Sequence, residues 1–388
     1  MTKYPLIHST WNREEIKAIN KVVKTDMFTM SKNVSEFEKK FSKYQGKKYG
    51  VMVNSGSSAN LVSIASLFYS KKNPLKKGDE VIVPAVSWST TYSPLQQLGL
   101  KIKLVDIELK TFNVDFKKLE KAVSKKTKLI VAVSILGIPA ELQKMRDLCK
   151  KKKIWFFEDN CESLGAEINK KKTGSFGDLA SHSFFFSHHI CTVEGGMVVT
   201  DNFELYCLMK ALRAHGWSRD LPKINPLIKV KKNDFYEQYK FILPGFNLRP
   251  VEMHAAVGLV QLKKIDKLIN MRIKNLKLFQ KYFKNNNNFI IPNTEYKSSS
   301  FAFPMIIKNK DPNIKLKIFK KLKRNSIDFR LVTGGCFTSQ KYAKHFDYTI
   351  FGNLKNAELL HNQGFFVGNA SKDLSKQIKK LHQVLSNI

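Results

Sequence analysis

Cysteines are few and show no pattern. The five present, Cys149, Cys161, Cys191, Cys207 and Cys336, are odd in number, scattered and without C-x-x-C spacing. That argues against a disulfide framework and against a zinc site. No run of ~18 consecutive apolar residues occurs, so no membrane-spanning helix is expected. The mixed, polar opening from Met1 to Arg13 does not read as a signal peptide. A cytoplasmic protein with no membrane partner is the expectation. Acidic residues are scarce too: 32 Asp and Glu face 67 Lys and Arg, a formal charge of +35. Such an excess suggests nucleic-acid binding, but its distribution does not. The lysines lie in small groups along the whole chain, as in Lys71-Lys72, Lys150 to Lys153, Lys170 to Lys172, and Lys229 with Lys231-Lys232. No aromatic–glycine RNA signature or zinc finger accompanies them. Solvated lysine faces are expected, with no nucleic-acid partner and a field that favours an anionic substrate.

What is present is enough apolar sequence for a large core. Hydrophobic residues make up 43% of 388 residues, a length that predicts two domains. Short apolar runs alternate with helical patterns. Tyr49 to Val53, Glu80 to Val83, Lys103 to Val105, Leu129 to Val133 and Ile154 to Phe157 read as strands. Ser58 to Tyr69, Phe116 to Val123 and Glu141 to Lys150 read as helices between them. This alternation implies βαβ units and a mostly parallel sheet. After a turn at Pro244-Gly245, a long helix is predicted over Val251 to Asn285. A second alternation follows: strands at Phe301 to Ile307 and Ile327 to Val332, helices near Ile314 to Arg324 and Lys372 to Leu385. The boundary is placed between 1–245 and 246–388, the N-terminal segment going with the first unit.

Active sites of parallel sheets lie beyond the C-terminal ends of strands, and three motifs stand there. Asn54-Ser55-Gly56-Ser57-Ser58-Ala59-Asn60 follows the first strand and opens a helix. A Ser/Gly loop there suits a phosphate or an ordinary helix cap; it is neither G-x-x-x-x-G-K-[ST] nor G-x-G-x-x-G. Glu158-Asp159-Asn160-Cys161-Glu162-Ser163 follows a buried-looking run. A carboxylate so placed can hold a pyridinium proton, bind a metal or cap a helix. The third motif runs from Ser181 to Ile190 and then Thr192-Val193-Glu194-Gly195-Gly196, with His182, His188 and His189 in it. The histidines suit metal binding, proton transfer or structure. No H-E-x-x-H occurs and no third ligand stands at helical spacing, so no metal is expected.

Taken together and in this order, the motifs resemble the sugar-nucleotide aminotransferases of the DegT/DnrJ/EryC1/StrS type, over essentially the whole chain. The resemblance implies an α/β, type I aspartate-aminotransferase-like fold. Its large domain has a mixed, mostly parallel sheet, and a smaller C-terminal α/β domain follows. The family's third motif reads Ser-Phe-aromatic-Pro-Thr/Ser-Lys-Asn-Leu/Ile. Ser183, Phe184 and Phe185 match it, Ser187 falls on the Thr/Ser, and His188 falls on the lysine that binds the cofactor. Without an ε-amine, no covalent link to the cofactor can form. The family members with His for Lys are lyases, 3-dehydratases of nucleotide 4-keto-6-deoxy sugars. Those acting on CDP sugars carry a cysteine-rich insertion and an iron–sulfur cluster. Here no cysteine lies between Ala214-His215-Gly216-Trp217 and Cys336, so no cluster is expected. The resemblance is to the kind acting on GDP sugars, in Val83-Pro84-Ala85-Val86-Ser87-Trp88-Ser89-Thr90-Thr91 and Asn247-Leu248-Arg249-Pro250 among others.

By that resemblance the cofactor is non-covalent pyridoxal phosphate (PLP), cycling with pyridoxamine phosphate (PMP). L-glutamate donates the amine and leaves as 2-oxoglutarate. A GDP-4-keto-6-deoxy sugar loses its C3 hydroxyl, giving a GDP-4-keto-3,6-dideoxy sugar and ammonia for O-antigen or capsular polysaccharide. His188 is the implied acid and base. Asp159 pairs with the pyridinium nitrogen, Trp88 stacks on the ring, and Glu162 sits near the ring oxygen, where aminotransferases usually have Gln. Gly56, Ser57 and Ser183 hold the phosphate, and Asn247 reaches the cofactor of a second subunit, which implies a homodimer with shared active sites. Arg219, Arg249 and Arg330 suit diphosphate or carboxylates, and His215 suits the sugar. Alternatives remain open: the same chemistry on a GDP-4-keto-6-deoxyheptose, ordinary amino transfer, or a silent binding protein.

Overall fold

The apolar runs pair into one large sheet, because each is too hydrophobic to leave either face in water. The computed structural model describes residues 3–229 and 235–386; Lys231 and Lys232 lie outside them. In chain order the strands are β1 (Tyr49–Val53), β2 (Glu80–Pro84), β3 (Lys101–Val105), β4 (Thr127–Val133) and β5 (Trp155–Asp159). There follow β6 (Glu167–Ile168), β7 (Lys171–Lys172), β8 (Leu179–Ser183) and β9 (Gly196–Thr200). The last are β10 (Phe289–Ile290), β11 (Ala302–Ile307), β12 (Phe329–Arg330), β13 (Tyr348–Ile350) and β14 (Gly364–Gly368). The large sheet has the order β1-β9-β8-β5-β4-β2-β3-β13. Only β9 runs against its neighbours. This is the mixed, mostly parallel sheet the alternation predicts. A smaller antiparallel sheet has the order β10-β11-β14-β12.

Helices cover the large sheet. The helix Gly56–Phe68 is mostly buried, with Ser57 and Ser58 at its start, Leu61 and Phe68 left partly accessible. The long helix Glu252–Phe283 links the two sheets. Among the described residues, no helix is long and apolar enough to cross a membrane.

Three features depart from the sequence reading. β13 comes from the C-terminal third yet closes the edge of the large sheet beside β3. Of the run Ile327 to Val332, only Phe329–Arg330 is a strand. Ile327 is held instead by a bridge to Tyr4, and after Arg330 the chain turns so that Gly334 packs on the Ser87 carbonyl. Tyr4 itself is fully buried in the core of the smaller sheet, its hydroxyl donating to the Gly368 carbonyl at 2.8 Å.

Candidate active site

Strand direction gathers the site. β1, β5 and β8 point the same way, so Val53, Asp159 and Ser183 all end at one edge. The start of the antiparallel β9 completes that edge: Gly196 pairs with both Val53 and Ser183. Two glycines permit the crowding. A Cβ on Gly196 would lie 2.2 Å from the Ser55 carbonyl oxygen, and one on Gly56 would lie 2.5 Å from the Ser183 Cβ and 3.1 Å from the Cys161 sulfur. A larger residue at either place would push the 54–57 loop off the strands. The helix that starts at Gly56 is capped by Ser55, whose hydroxyl accepts the Ser58 N–H at 3.1 Å. Exposed Ser57 donates to Thr90 Oγ1 at 3.0 Å. Free N–H groups and hydroxyls at a helix N-terminus favour a phosphate.

Asp159 is buried but well partnered. Its Oδ2 accepts from Thr91 Oγ1 at 2.7 Å and from Asn60 Nδ2 at 2.9 Å, and its Oδ1 accepts the Cys161 N–H at 3.3 Å. Thr91 is itself bonded to Ser87 Oγ at 2.7 Å. Trp88 stands at the N-cap of the helix Ser89–Gln97 that carries Thr91, and the residue is 56% exposed. Glu162 accepts the Leu136 N–H at 2.8 Å. Burial, helped by the Asp159 charge, pushes its carboxyl up to about 7.

The three histidines of the third motif separate. His182, on β8, is fully buried; its Nε2 lies 3.0 Å from Gln45 Nε2 and its ring meets Phe41 edge-on. His189 is also fully buried, its Nε2 lying 3.3 Å from the Ser299 carbonyl oxygen. His188 is half-buried in the loop between β8 and β9, its ring 5.1 Å from that of Phe301. Burial lowers its imidazole to about 4; a backbone hydrogen bond at Cys161 opposes the shift and the Arg272 charge adds to it. His188 is therefore neutral at pH 7 and placed beside the turn that carries Asp159.

PLP fits this arrangement. Among the described residues, His188 Nδ1 and Asn60 Oδ1 are enclosed yet lack hydrogen-bond partners. Beside them stand the phosphate-suited loop at Gly56, the Asp159 carboxylate and the exposed Trp88 ring. The other predicted residues form two groups. Asn247 is exposed and accepts from Arg249 Nε at 3.1 Å, and Asn247 bridges to Ala214, beside exposed His215. Arg219 stacks on Trp217 at 3.8 Å and lies 3.7 Å from Asp220, while Arg330 is exposed on β12. Among the described residues, no contact joins Arg219 or Arg330 to His188 or Asp159.

The sequence reading gave no role to Asn60, Thr91, Phe301 or Arg272. Asn60 had a signal: it lies four residues after Gly56, on the same helix face, in a helix whose other polar residues are all serines. Thr91 follows Trp88 by three residues and had a weaker one. Nothing local marks Phe301 or Arg272.

Known proteins resemble this chain over nearly its whole length. GDP-4-keto-6-deoxy-D-mannose 3-dehydratase of Yersinia pseudotuberculosis is 47% identical over 387 residues, covering 99% of this chain and 98% of its own. The structure of the E. coli GDP-4-keto-6-deoxy-D-mannose-3-dehydratase with bound hydrated PLP superposes with a TM-score of 0.96 at 46% identity, covering 99% of this chain and 100% of that one. A GDP-4-keto-6-deoxymannose-3-dehydratase with a trapped PLP-glutamate geminal diamine also superposes with a TM-score of 0.96, at 46% identity over 98% of this chain and 100% of that one. The model of the DegT/DnrJ/EryC1/StrS aminotransferase family matches residues 10–383. On fold and sequence together, the chain belongs to the DegT/DnrJ/EryC1/StrS aminotransferase family.

Proposed function

We propose that this chain is a PLP- and glutamate-dependent lyase that removes the C3 hydroxyl of a GDP-4-keto-6-deoxy sugar. The products are a GDP-4-keto-3,6-dideoxy sugar, 2-oxoglutarate and ammonia. The observation that carries this is His188: an imidazole, not an amine, stands beside the Asp159 turn. With no ε-amine there, the cofactor is held non-covalently and nitrogen leaves as ammonia. The relatives named above are 3-dehydratases of a GDP-4-keto-6-deoxy sugar.

When bound, PLP supplies an electron sink conjugated to a substrate amine. Asp159 holds the proton on the pyridine nitrogen, kept in place by Asn60, Thr91 and the Cys161 N–H. Gly56, Ser57 and Ser183 hold the phosphate, Trp88 covers the ring face, and Glu162 sits by the ring oxygen. His188 moves the proton. Its lowered pKa makes it neutral and ready to accept from carbon; once charged, it is acidic enough to pass that proton to the departing C3 oxygen. One residue thus serves as base and then acid.

Arg219, Arg249 and Arg330 are assigned to the diphosphate of the nucleotide or the carboxylates of glutamate, and His215 to the sugar. Asn247 reaches the cofactor of a second copy, making a homodimer. Phe185 and Phe186, in the loop that carries His188, are 43% and 42% exposed, the kind of apolar surface a partner covers. Residues 1–245 form the cofactor-binding part and 246–388 the part that bridges to it. Five free thiols suit the reducing cytoplasm.

The test is to incubate the chain with PLP, glutamate and a panel of GDP- and CDP-4-keto sugars, heptose included. A GDP-dideoxy product with equimolar 2-oxoglutarate and ammonia is expected. An amino sugar instead of ammonia, or no 2-oxoglutarate at all, sinks the reading.

A further inference from the structure

Arg272 is a buried cation. It sits on the long helix Glu252–Phe283 and is 3% exposed. Among the described residues, no carboxylate pairs with it. Its Nη1 donates to the carbonyls of Phe301 at 3.0 Å, Asn369 at 3.2 Å and Ser300 at 3.5 Å, and its Nε donates to Ser371 Oγ at 3.2 Å. Carbonyls satisfy N–H groups without neutralising the charge, so this burial is costly and asks for a reason.

Two of the carbonyls it grips, those of Ser300 and Phe301, belong to a strap that reaches the site. Along residues 298–301, the Ser299 N–H donates to the Gly137 carbonyl at 3.0 Å and the Phe301 N–H to the Leu136 carbonyl at 2.8 Å. The Ser299 carbonyl meets His189, and the Phe301 ring lies 5.1 Å from His188 and 6.0 Å from His189. The helix, the strap and the histidine loop thus form three successive layers.

We propose that Arg272 is a positioning residue for His188: by tying the Ser300 and Phe301 carbonyls to the long helix, it holds the Phe301 ring against the imidazole, and its unpaired charge bears on that same ring. This rests on the reading of His188 as the proton carrier. Two groups bear on the imidazole, the Arg272 charge from the long helix and the Cys161 backbone, and His189 is next in the chain. A like charge disfavours the imidazolium, and Arg272 lowers His188 and His189 alike. The neutral, proton-accepting form is thereby kept.

The test follows the His188 ring by NMR titration of the cofactor-free chain, alongside turnover of the loaded enzyme. Arg272→Gln removes the charge; the His188 midpoint should rise, and kcat should fall about tenfold to a hundredfold with KM for the sugar little changed. Arg272→Lys keeps the charge but loses the fork; the midpoint should stay low while kcat falls. Phe301→Leu should also lower kcat, with the fold intact. An unchanged midpoint in Arg272→Gln, or full turnover in Phe301→Leu, overturns the proposal. Should Arg272→Gln fail to fold, Phe301→Leu and Arg272→Lys decide by the same readings. Wild type that makes no dideoxy sugar defeats the functional reading instead, and the titration still judges Arg272.

Discussion

Glu158 and Asp159 are neighbours at the end of β5, yet they face opposite sides of the sheet. Strand side chains alternate, so one acid must point away from the other. Glu158 turns into the protein and accepts the N–H groups of Gly174, Phe176 and Gly177, which fixes the 174–177 turn before β8. Burial outweighs those three bonds and raises its pKa. Asp159 turns to the site edge, toward Asn60 and Thr91. One carboxylate shapes the chain, and the other is the one proposed to meet the cofactor. Residue type says nothing of this division; the face of the strand does.

Four changes test that division, taken from the largest expected effect downward. His188→Asn, on the Asp159 side, should lose turnover by roughly 10²–10⁴-fold, the range for a general acid–base group. Its thermal midpoint and its PLP absorbance on binding should stay near wild type; near-normal turnover would remove His188 from its role. Asp159→Asn should weaken PLP retention by about 10–100-fold, the worth of one charged hydrogen bond. Equilibrium dialysis against PLP measures this, and the urea midpoint should barely move. Glu158→Gln should do the reverse. An amide places an NH₂ against backbone N–H groups, so roughly 1–3 kcal/mol of stability is lost, read by urea unfolding, while turnover per folded molecule stays. Equal loss of PLP retention in both acid variants would erase the contrast.

The mildest perturbation is pH alone. The folded pKa of Glu162, about 7, lies above the ordinary carboxyl value of 4.5. Its contribution to stability is therefore full below 4.5 and lost as pH rises through 7. Wild type should lose stability over that window more steeply than Glu162→Gln. Parallel declines in urea midpoints would show that Glu162 ionises in the fold as it does in water.

Legibility followed locality. The run Ile154 to Phe157 announces β5 because its bulky apolar residues suit a strand buried on both faces, and the acids that follow mark its end. Gly56 and Gly196 were readable as turn residues. That they are needed for the approach of the 54–57 loop to Ser183 shows only once β1, β9 and β8 lie side by side. The candidate arginines were chosen by chemistry, and chemistry alone could not sort them: Arg249 engages Asn247, while Arg219 stacks on Trp217. Arg272 lies in a long amphipathic stretch among many lysines, where a buried cation looks like one more solvated charge.

The sequence by itself determined that position 188 carries an imidazole and no amine, and with that the reaction class proposed here. It also determined the alternation that builds a mostly parallel sheet, because side-chain periodicity is a property of the local chain. The tertiary structure alone decided that His182 and His189 are fully buried while His188 is only half-buried, that Glu158 turns to the 174–177 turn, and that β13 closes the sheet edge. It also brought Phe301 and Arg272 up behind His188 from more than a hundred and from eighty-four residues away along the chain. Contacts over such separations depend on how helices and strands pack, and no neighbour in sequence records that.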